Sequence, residues 1–257
     1  MDDTIFRAYD IRGIYEETLT ESVARLIGQS IGSTVLASGQ KRIAIARDGR
    51  DSGPALRDAL SAGIRASGCD VVDVGMVPTP ALYFATYHFD DLNSGVMITG
   101  SHNPANFNGF KIVINGVTFS GGAILALRDR IKSGDMAEGQ GSYEEREILS
   151  SYQQIFIERH SLSRSLKVAV DCGNGVAGVQ APELMAALGC DVVPLFAEVD
   201  GSFPNHHPDP GDPENLRDLV AAVADHAADL GLAFDGDGDR VGVVTPAGNI
   251  IYPDILL

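Results

Sequence analysis

Two short polar loops hold the residues whose types and spacing could do chemistry. In the first, Thr99-Gly100-Ser101-His102-Asn103-Pro104 follows the apolar run Val96-Met97-Ile98. A hydroxyl presented in a tight turn can carry a phosphoryl group. In the second, Asp235-Gly236-Asp237-Gly238-Asp239-Arg240 follows Leu232-Ala233-Phe234. Three alternating carboxylates share a face on a strand or converge in a turn, and either way they repel one another without a cation. Mg2+, a hard cation, offsets that repulsion and keeps a position open for a phosphate oxygen. The two loops together point to phosphoryl transfer through a phosphoserine, and neither does so alone.

Rival templates fit worse. An EF-hand loop starting at Asp235 needs Gly at its sixth place and Glu at its twelfth, where this chain has Arg240 and Pro246. A hydrolase serine elbow needs glycine two residues before and two after the serine, where Thr99 and Asn103 stand. His102 is adjacent to Ser101, but neighbours in a tight turn often point apart, so its part as a direct acid or base is a secondary reading. Charge counting adds a requirement. A phosphoserine brings about −2, the three aspartates −3 and Mg2+ +2, which leaves about −3 before an anionic substrate arrives. The cations at hand are Lys111, Arg240, and the Arg7 and Arg12 of Phe6-Arg7-Ala8-Tyr9-Asp10-Ile11-Arg12-Gly13. Asn205-His206-His207-Pro208-Asp209 reads as a loop, either metal-binding or facing a substrate; adjacent histidines rarely hold one ion together. Gly173-Asn174-Gly175-Val176-Ala177-Gly178 is a weak hint of a phosphate-cradling turn.

The elements that must position these loops form an internal repeat. Copy one opens with the strand-like Arg42–Ala46 and copy two with Leu166–Val170. Each is followed by a helix-like stretch, the first with Ser52 as cap and Pro54 in its first turn, the second from about Pro182 to Gly189. The same pentapeptide then occurs in both, Gly68-Cys69-Asp70-Val71-Val72 and Gly189-Cys190-Asp191-Val192-Val193. A second helix is expected near Thr79–Phe89 and near Pro213–Leu230. A third strand follows, and the chemically interesting loop comes directly after it. Each copy closes with strand, turn and strand, at Phe110–Phe119 and Val241–Tyr252. Alternating strands and helices indicate mostly parallel sheets covered on both faces, with an antiparallel closing element. Both loops then lie at the C-terminal ends of strands, where open α/β sheets bind ligands. Ser133–Ser151 reads as the connection between copies, partly helical at its end, and an N-terminal helix is expected near Leu19–Leu36.

Composition limits the partners. The 257 residues include 29 glycines and carry a formal net charge of −16, which argues against nucleic acid, since counterion release needs a basic face. No apolar run approaches membrane-spanning length, so no membrane is expected. The acidic start Met1-Asp2-Asp3 has no apolar signal core behind it, and Cys69, Cys172 and Cys190 form no CxxC pair. Buried free thiols and a cytoplasmic protein are the expectation.

Phe6–Gly13, Thr99–Pro104, Asn108-Gly109-Phe110-Lys111 and Asp235–Arg240, in this order, resemble the α-D-phosphohexomutases. The Phe6-Arg7-Ala8-Tyr9-Asp10 opening and Thr99-Gly100-Ser101 resemble the bacterial phosphomannomutase/phosphoglucomutase branch. The resemblance implies two tandem homologous three-layer α/β/α domains, over residues 1–146 with the phosphoserine loop and 147–251 with the metal loop, and the start of a third at 252–257. It implies interconversion of hexose 6-phosphate and hexose 1-phosphate, mannose or glucose, through phosphorylated Ser101 and a hexose 1,6-bisphosphate that acts as intermediate and activator. Asp235, Asp237 and Asp239 would hold Mg2+ with an oxygen of phosphorylated Ser101. Lys111 and Arg12 would assist proton transfer at the sugar hydroxyl, His102 and Arg240 would position phosphate or hydroxyl groups, and Tyr9 would line the cleft. Family members have four domains, and the resemblance covers the first two. Domains 3 and 4, with the sugar-reading and phosphate loops, are expected in the complete enzyme, and this chain alone is expected to turn over phosphosugars poorly. A Mg2+-dependent phosphatase and a non-catalytic sugar-phosphate-binding fragment are the competing readings.

Overall fold

The structure, a computed structural model, describes residues 1–252 and Ile255. The expected start of a third domain at 252–257 therefore falls mostly outside the described residues. Two compact units divide the chain, Met1–Glu147 and Ile148–Leu257. No helix among the described residues is long and apolar enough to cross a membrane.

In the first unit β1 (Ile11–Ile14) and α1 (Glu21–Ala37) precede β2 (Arg42–Arg47), α2 (Gly53–Ala66), β3 (Asp70–Met76), α3 (Thr79–His88) and β4 (Gly95–Ile98). The hairpin β5 (Phe107–Ile114) and β6 (Val117–Thr118), the helix α4 (Gly122–Ser133) and the strand β7 (Tyr143–Glu145) complete it. The sheet runs β1-β5-β4-β2-β3-β7, with β6 on β5. β4, β2, β3 and β7 are parallel, and β1, β5 and β6 close the other side antiparallel. Both faces are covered, as the unbroken apolar strands demand. Ile43, Ile45, Val71, Val96 and Ile98 share one core with Ile27 and Ile31 of α1 and Leu56, Leu60 and Ile64 of α2. The alternate face of the sheet belongs to α3. A Cβ on Gly95 would meet Leu82 and Thr86 of that helix. α1 and α2 approach so closely that a Cβ on Gly63 would lie 1.9 Å from the Arg25 carbonyl and one on Gly28 2.2 Å from that of Leu60. Only glycine allows this backbone contact.

The second unit repeats the plan. After α5 (Leu149–Arg159) come β8 (Lys167–Asp171), α6 (Ala181–Ala187), β9 (Asp191–Leu195), α7 (Arg217–Asp225), β10 (Leu230–Phe234), β11 (Val241–Val244) and β12 (Ile250–Ile251). The sheet order β12-β11-β10-β8-β9 is the order β6-β5-β4-β2-β3 of the first unit. Val168 and Val170 pack toward Ala181 and Met185 of α6, and Ala169 packs with Leu219 and Val223 of α7, again giving three layers.

Three sequence expectations need correction. Ser52 sits at the head of α2 but makes no capping bond; its hydroxyl accepts instead from Asn108 Nδ2 at 2.8 Å. The stretch 133–151 is no mere connection. It begins as the end of α4, which the sequence reading missed, and it contains β7. That strand is exposed and acidic, so it lacks an apolar signal; Asp70 holds it by accepting from the Ser142 amide at 2.6 Å and its hydroxyl at 2.7 Å. The second helix of copy two is shorter than expected, a 3-10 turn at Pro213–Leu216 leading into α7.

Candidate functional site

Ser101 leaves the end of β4 with φ +50°, a left-handed conformation that costs a residue with a side chain about 1–2 kcal/mol. Its residue is fully buried in this chain, and His102 is half-buried. The turn is closed by Asn103, whose amide and Nδ2 donate to the Gly100 carbonyl at 3.0 and 3.1 Å. Its strain is held by a polar post that sequence reasoning passed over, the pair Asp48 and Arg50 in the loop after β2. Both are buried, at 0 % and 1 % exposure. Arg50 uses all five guanidinium N–H groups. Nη2 donates to the carbonyls of Ser101 at 2.7 Å and Asn103 at 2.6 Å. Nη1 donates to those of Pro104 at 2.5 Å and Phe107 at 2.9 Å, and Nε to Asp48 at 3.2 Å. The Asp48 carboxylate accepts from the Thr99 hydroxyl at 2.7 Å, the Gly100 amide at 3.3 Å and the Arg50 amide at 3.1 Å. The serine loop is thus wrapped around one buried cation. Arg47-Asp48-Gly49-Arg50 looks in sequence like an ordinary polar turn, and the available signal was its place after the first strand of a repeat.

The expected cations of the first unit divide. Arg12 is buried, pairs with Asp10, and donates from Nη1 to the Gly100 carbonyl at 3.0 Å. Its first observable role is therefore to hold the serine loop, and Asp10 already partners its charge. Arg12 lies opposite Gly109 in the β1–β5 ladder and Lys111 is two residues further along β5, so both side chains leave the same face of the sheet. Lys111 is half-buried. Arg7 and Tyr9 are exposed, Tyr9 at 81 %, on a loop whose Ala8 carbonyl accepts from the Gly121 amide at 2.7 Å.

The acidic loop belongs to the second unit. It leaves β10 as a turn, with Gly238 at φ +70°, and not as a strand. Asp235 and Asp237 are fully buried while Asp239 is exposed. One oxygen from each lies within 4.8 Å of the others. Asp235 Oδ1 accepts from the amides of Asp239 at 3.0 Å and Arg240 at 3.1 Å, which curls the loop back on itself. Burial holds the Asp235 carboxyl well above the usual carboxylate range, and Asp237 and Asp239 push it the same way, against the bond from the Arg240 backbone. Three convergent hard oxygens, two of them on buried residues, fit a divalent cation of the Mg2+ type, which would offset their mutual repulsion. Arg240 is exposed at the loop's end.

The remaining candidates have structural occupations. His206 turns toward Asp171, with Nε2 at 3.0 and 3.1 Å from its carboxylate oxygens. The cysteines are free, and burial pushes the Cys69 and Cys172 thiols up to about 12, which removes them as nucleophiles near neutrality.

Comparison with known proteins agrees with this layout. Residues 3–138 match the family model for phosphoglucomutase/phosphomannomutase α/β/α domain I, and residues 148–248 match that for domain II. The chain is 58% identical over 254 residues to the phosphomannomutase/phosphoglucomutase of Pseudomonas aeruginosa, covering 99% of this chain and 55% of the relative. It is 50% identical to a phosphoglucomutase of Neisseria gonorrhoeae, covering 97% of this chain and 55% of the relative. Its fold superposes with a TM-score of 0.96 on a phosphoglucomutase/phosphomannomutase family protein from Burkholderia thailandensis, at 50% identity over 99% of this chain and 57% of that one. The chain spans about half the length of the curated relatives it matches. With both of its units matched in order, this chain belongs to the phosphoglucomutase/phosphomannomutase family.

Proposed function

We propose that this chain supplies the phosphoryl carrier and the cation site of an enzyme that interconverts hexose 6-phosphate and hexose 1-phosphate, of mannose or glucose, through a hexose 1,6-bisphosphate. Residues 1–146 act as the phosphoserine domain and residues 147–251 as the metal domain. Ser101 carries the phosphoryl group. When bound, Mg2+ held by Asp235, Asp237 and Asp239 neutralises charge on the phosphoryl oxygens. In each half-reaction the Ser101 Oγ–phosphorus bond breaks and a bond from phosphorus to a sugar hydroxyl oxygen forms, or the reverse. The proton that the sugar hydroxyl gives up as its oxygen takes the phosphoryl group ends on Ser101 Oγ, which has lost that group. Lys111 and Arg12, on one face of the sheet, assist that proton's departure and stabilise the oxygen it leaves. His102 and Arg240 position phosphate or hydroxyl groups, and the exposed Arg7 and Tyr9 meet the sugar phosphate. The sugar-reading and distal phosphate-binding elements belong to domains 3 and 4, in the part of the relatives' length that this chain does not span.

The observation that supports this reading most is the serine loop. A buried arginine and aspartate hold the loop that presents one left-handed serine at the end of a strand, which is the pre-organisation expected of a group that reacts. The test is peptide mass mapping after incubation with glucose 1,6-bisphosphate and Mg2+. Phosphate on the Ser101 peptide, absent in S101A, is the expected result. A folded chain that acquires phosphate elsewhere, or equally in S101A, sinks the assignment of the carrier.

A further inference from the structure

We propose that Asp171 and His206 form a positioning pair for the carboxylate loop, acting through backbone to fix the spacing of Asp235 and Asp237; the inference rests on the metal reading above. Asp171 ends β8, the strand beside β10, and stands opposite Ala233 in the parallel ladder, two residues before Asp235. It is fully buried and accepts from the Gly173 amide at 2.9 Å as well as from His206. The second ring nitrogen of His206, Nδ1, faces the His207 carbonyl at 3.0 Å. Both ring nitrogens of His206 thus face oxygens that can accept, which favours the protonated ring. The Phe196 ring stands edge-on to the imidazole, with centroids 5.3 Å apart. Burial by itself disfavours the charged ring, and the bond and charge of Asp171 outweigh it, so the His206 pKa is raised.

What the pair fastens is the long segment between β9 and α7, and that segment packs on the turn after β8 and on β11, the strand that follows the metal loop. On one side it packs on the turn after β8. Gly173 and Asn174 are both left-handed, at φ +50° and +58°, and a Cβ on Gly173 would be 3.1 Å from Pro208 and 3.2 Å from the His206 ring. Asn205 donates to the Asn174 side chain at 2.7 Å, and Asn174 donates in turn to the Glu198 carbonyl at 2.8 Å. That turn abuts Gly236, the residue between the two buried aspartates. The Val176 amide donates to the Gly236 carbonyl at 3.2 Å, and a Cβ on Gly175 would lie 3.1 Å from Gly236 Cα. On the other side Pro210 rests on Gly242 of β11, where a Cβ would lie 3.0 Å away. The buried pair is therefore linked, through the turn after β8, to the backbone at Gly236, between Asp235 and Asp237. Groups that orient ligands from behind shift metal affinity by about 10–100-fold when altered.

The experiment is calorimetric titration of the chain with Mg2+ alone, for wild type, D171N, H206L, H206Q and N205A. Circular dichroism confirms that each variant is folded. D171N and H206L are expected to bind about tenfold more weakly. H206Q, whose amide can still donate to Asp171, should recover most of the loss, which a generic packing defect would not do. N205A changes an exposed residue, folds for that reason, and should weaken binding several-fold. Affinities of the folded variants within twofold of wild type would overturn the proposal and leave the pair as a fold staple. If D171N and H206L do not fold, an unchanged N205A overturns it in their place. Wild type that takes up no Mg2+ would overturn the metal reading and this inference together, whereas wild-type binding with unchanged variants removes this inference alone.

Discussion

Replacing Arg50 by methionine keeps an unbranched apolar stem and removes every side-chain donor around which the serine loop is wound. Four loop carbonyls, those of Ser101, Asn103, Pro104 and Phe107, lose their partner, and the buried Asp48 carboxylate loses its counter-ion. Breaking a buried ion pair from one side costs about 3–5 kcal/mol. Domains are stable by about 5–15 kcal/mol, so the loss is large but survivable. At about 1.4 kcal/mol per tenfold, the loop should open between about a hundredfold and several thousandfold more often. Hydrogen exchange followed by mass spectrometry reads this locally. The amides of Thr99, Ser101, Asn103 and Phe107 are all bonded within the loop and its strand partner, and their peptides should lose protection. Peptides over residues 168–176 of the other unit should not change. R50K is the graded control. An ammonium has three donors for five acceptors, so two are left, and the charge opposite Asp48 persists; the expected cost is about 1–2 kcal/mol. Exchange of the 99–107 peptides in folded R50M within threefold of wild type would refute the idea that Arg50 carries the loop. Equal acceleration in both units would show a global effect instead.

Other outcomes follow from the same geometry. G63A places a methyl within 1.9 Å of the Arg25 carbonyl; α1 and α2 must part, and urea denaturation should show a loss of about 1–3 kcal/mol in the first unit. Saturating Mg2+ at about a hundred times its dissociation constant should stabilise the second unit by about 2.7 kcal/mol, an effect that EDTA reverses. D237N should abolish that gain while leaving the first unit's unfolding unchanged. For pH, the raised pKa of His206 means that the folded state binds the proton more tightly than the unfolded chain. The pair's contribution, from His206 against Asp171 with Asp218 adding charge, is complete below the ordinary histidine value and is lost as pH rises through the folded one. The second unit's melting temperature should fall across that window in wild type and stay flatter in H206Q.

The order of strands and helices was legible in the sequence because both copies are built from apolar runs bounded by turn residues. The shared Gly-Cys-Asp-Val-Val pentapeptide fixed the register between the copies, and the sheet orders of the two units coincide as that repeat requires. Asn115-Gly116 announced a hairpin turn, and both residues do take positive φ, +54° and +72°. β7 and α4 were not legible. β7 is charged and exposed, and α4 buries only Ile124 and Leu127, so neither shows the apolar period that marks an element.

At the sites the division is sharper. The sequence by itself determined which groups can react, since hydroxyl, imidazole and carboxylate are properties of residue types, and their spacing in two loops is covalent. Only the tertiary structure decided what holds them. Arg50 reaches Ser101 across 51 residues and His206 reaches Asp171 across 35, contacts that local pattern cannot encode. The structure also decided that Asp235 and Asp237 are buried while Asp239 is open, and that Arg12 is already bound to Asp10 and the Gly100 carbonyl. Burial sets the energy of a charge, and burial is a property of the packed chain.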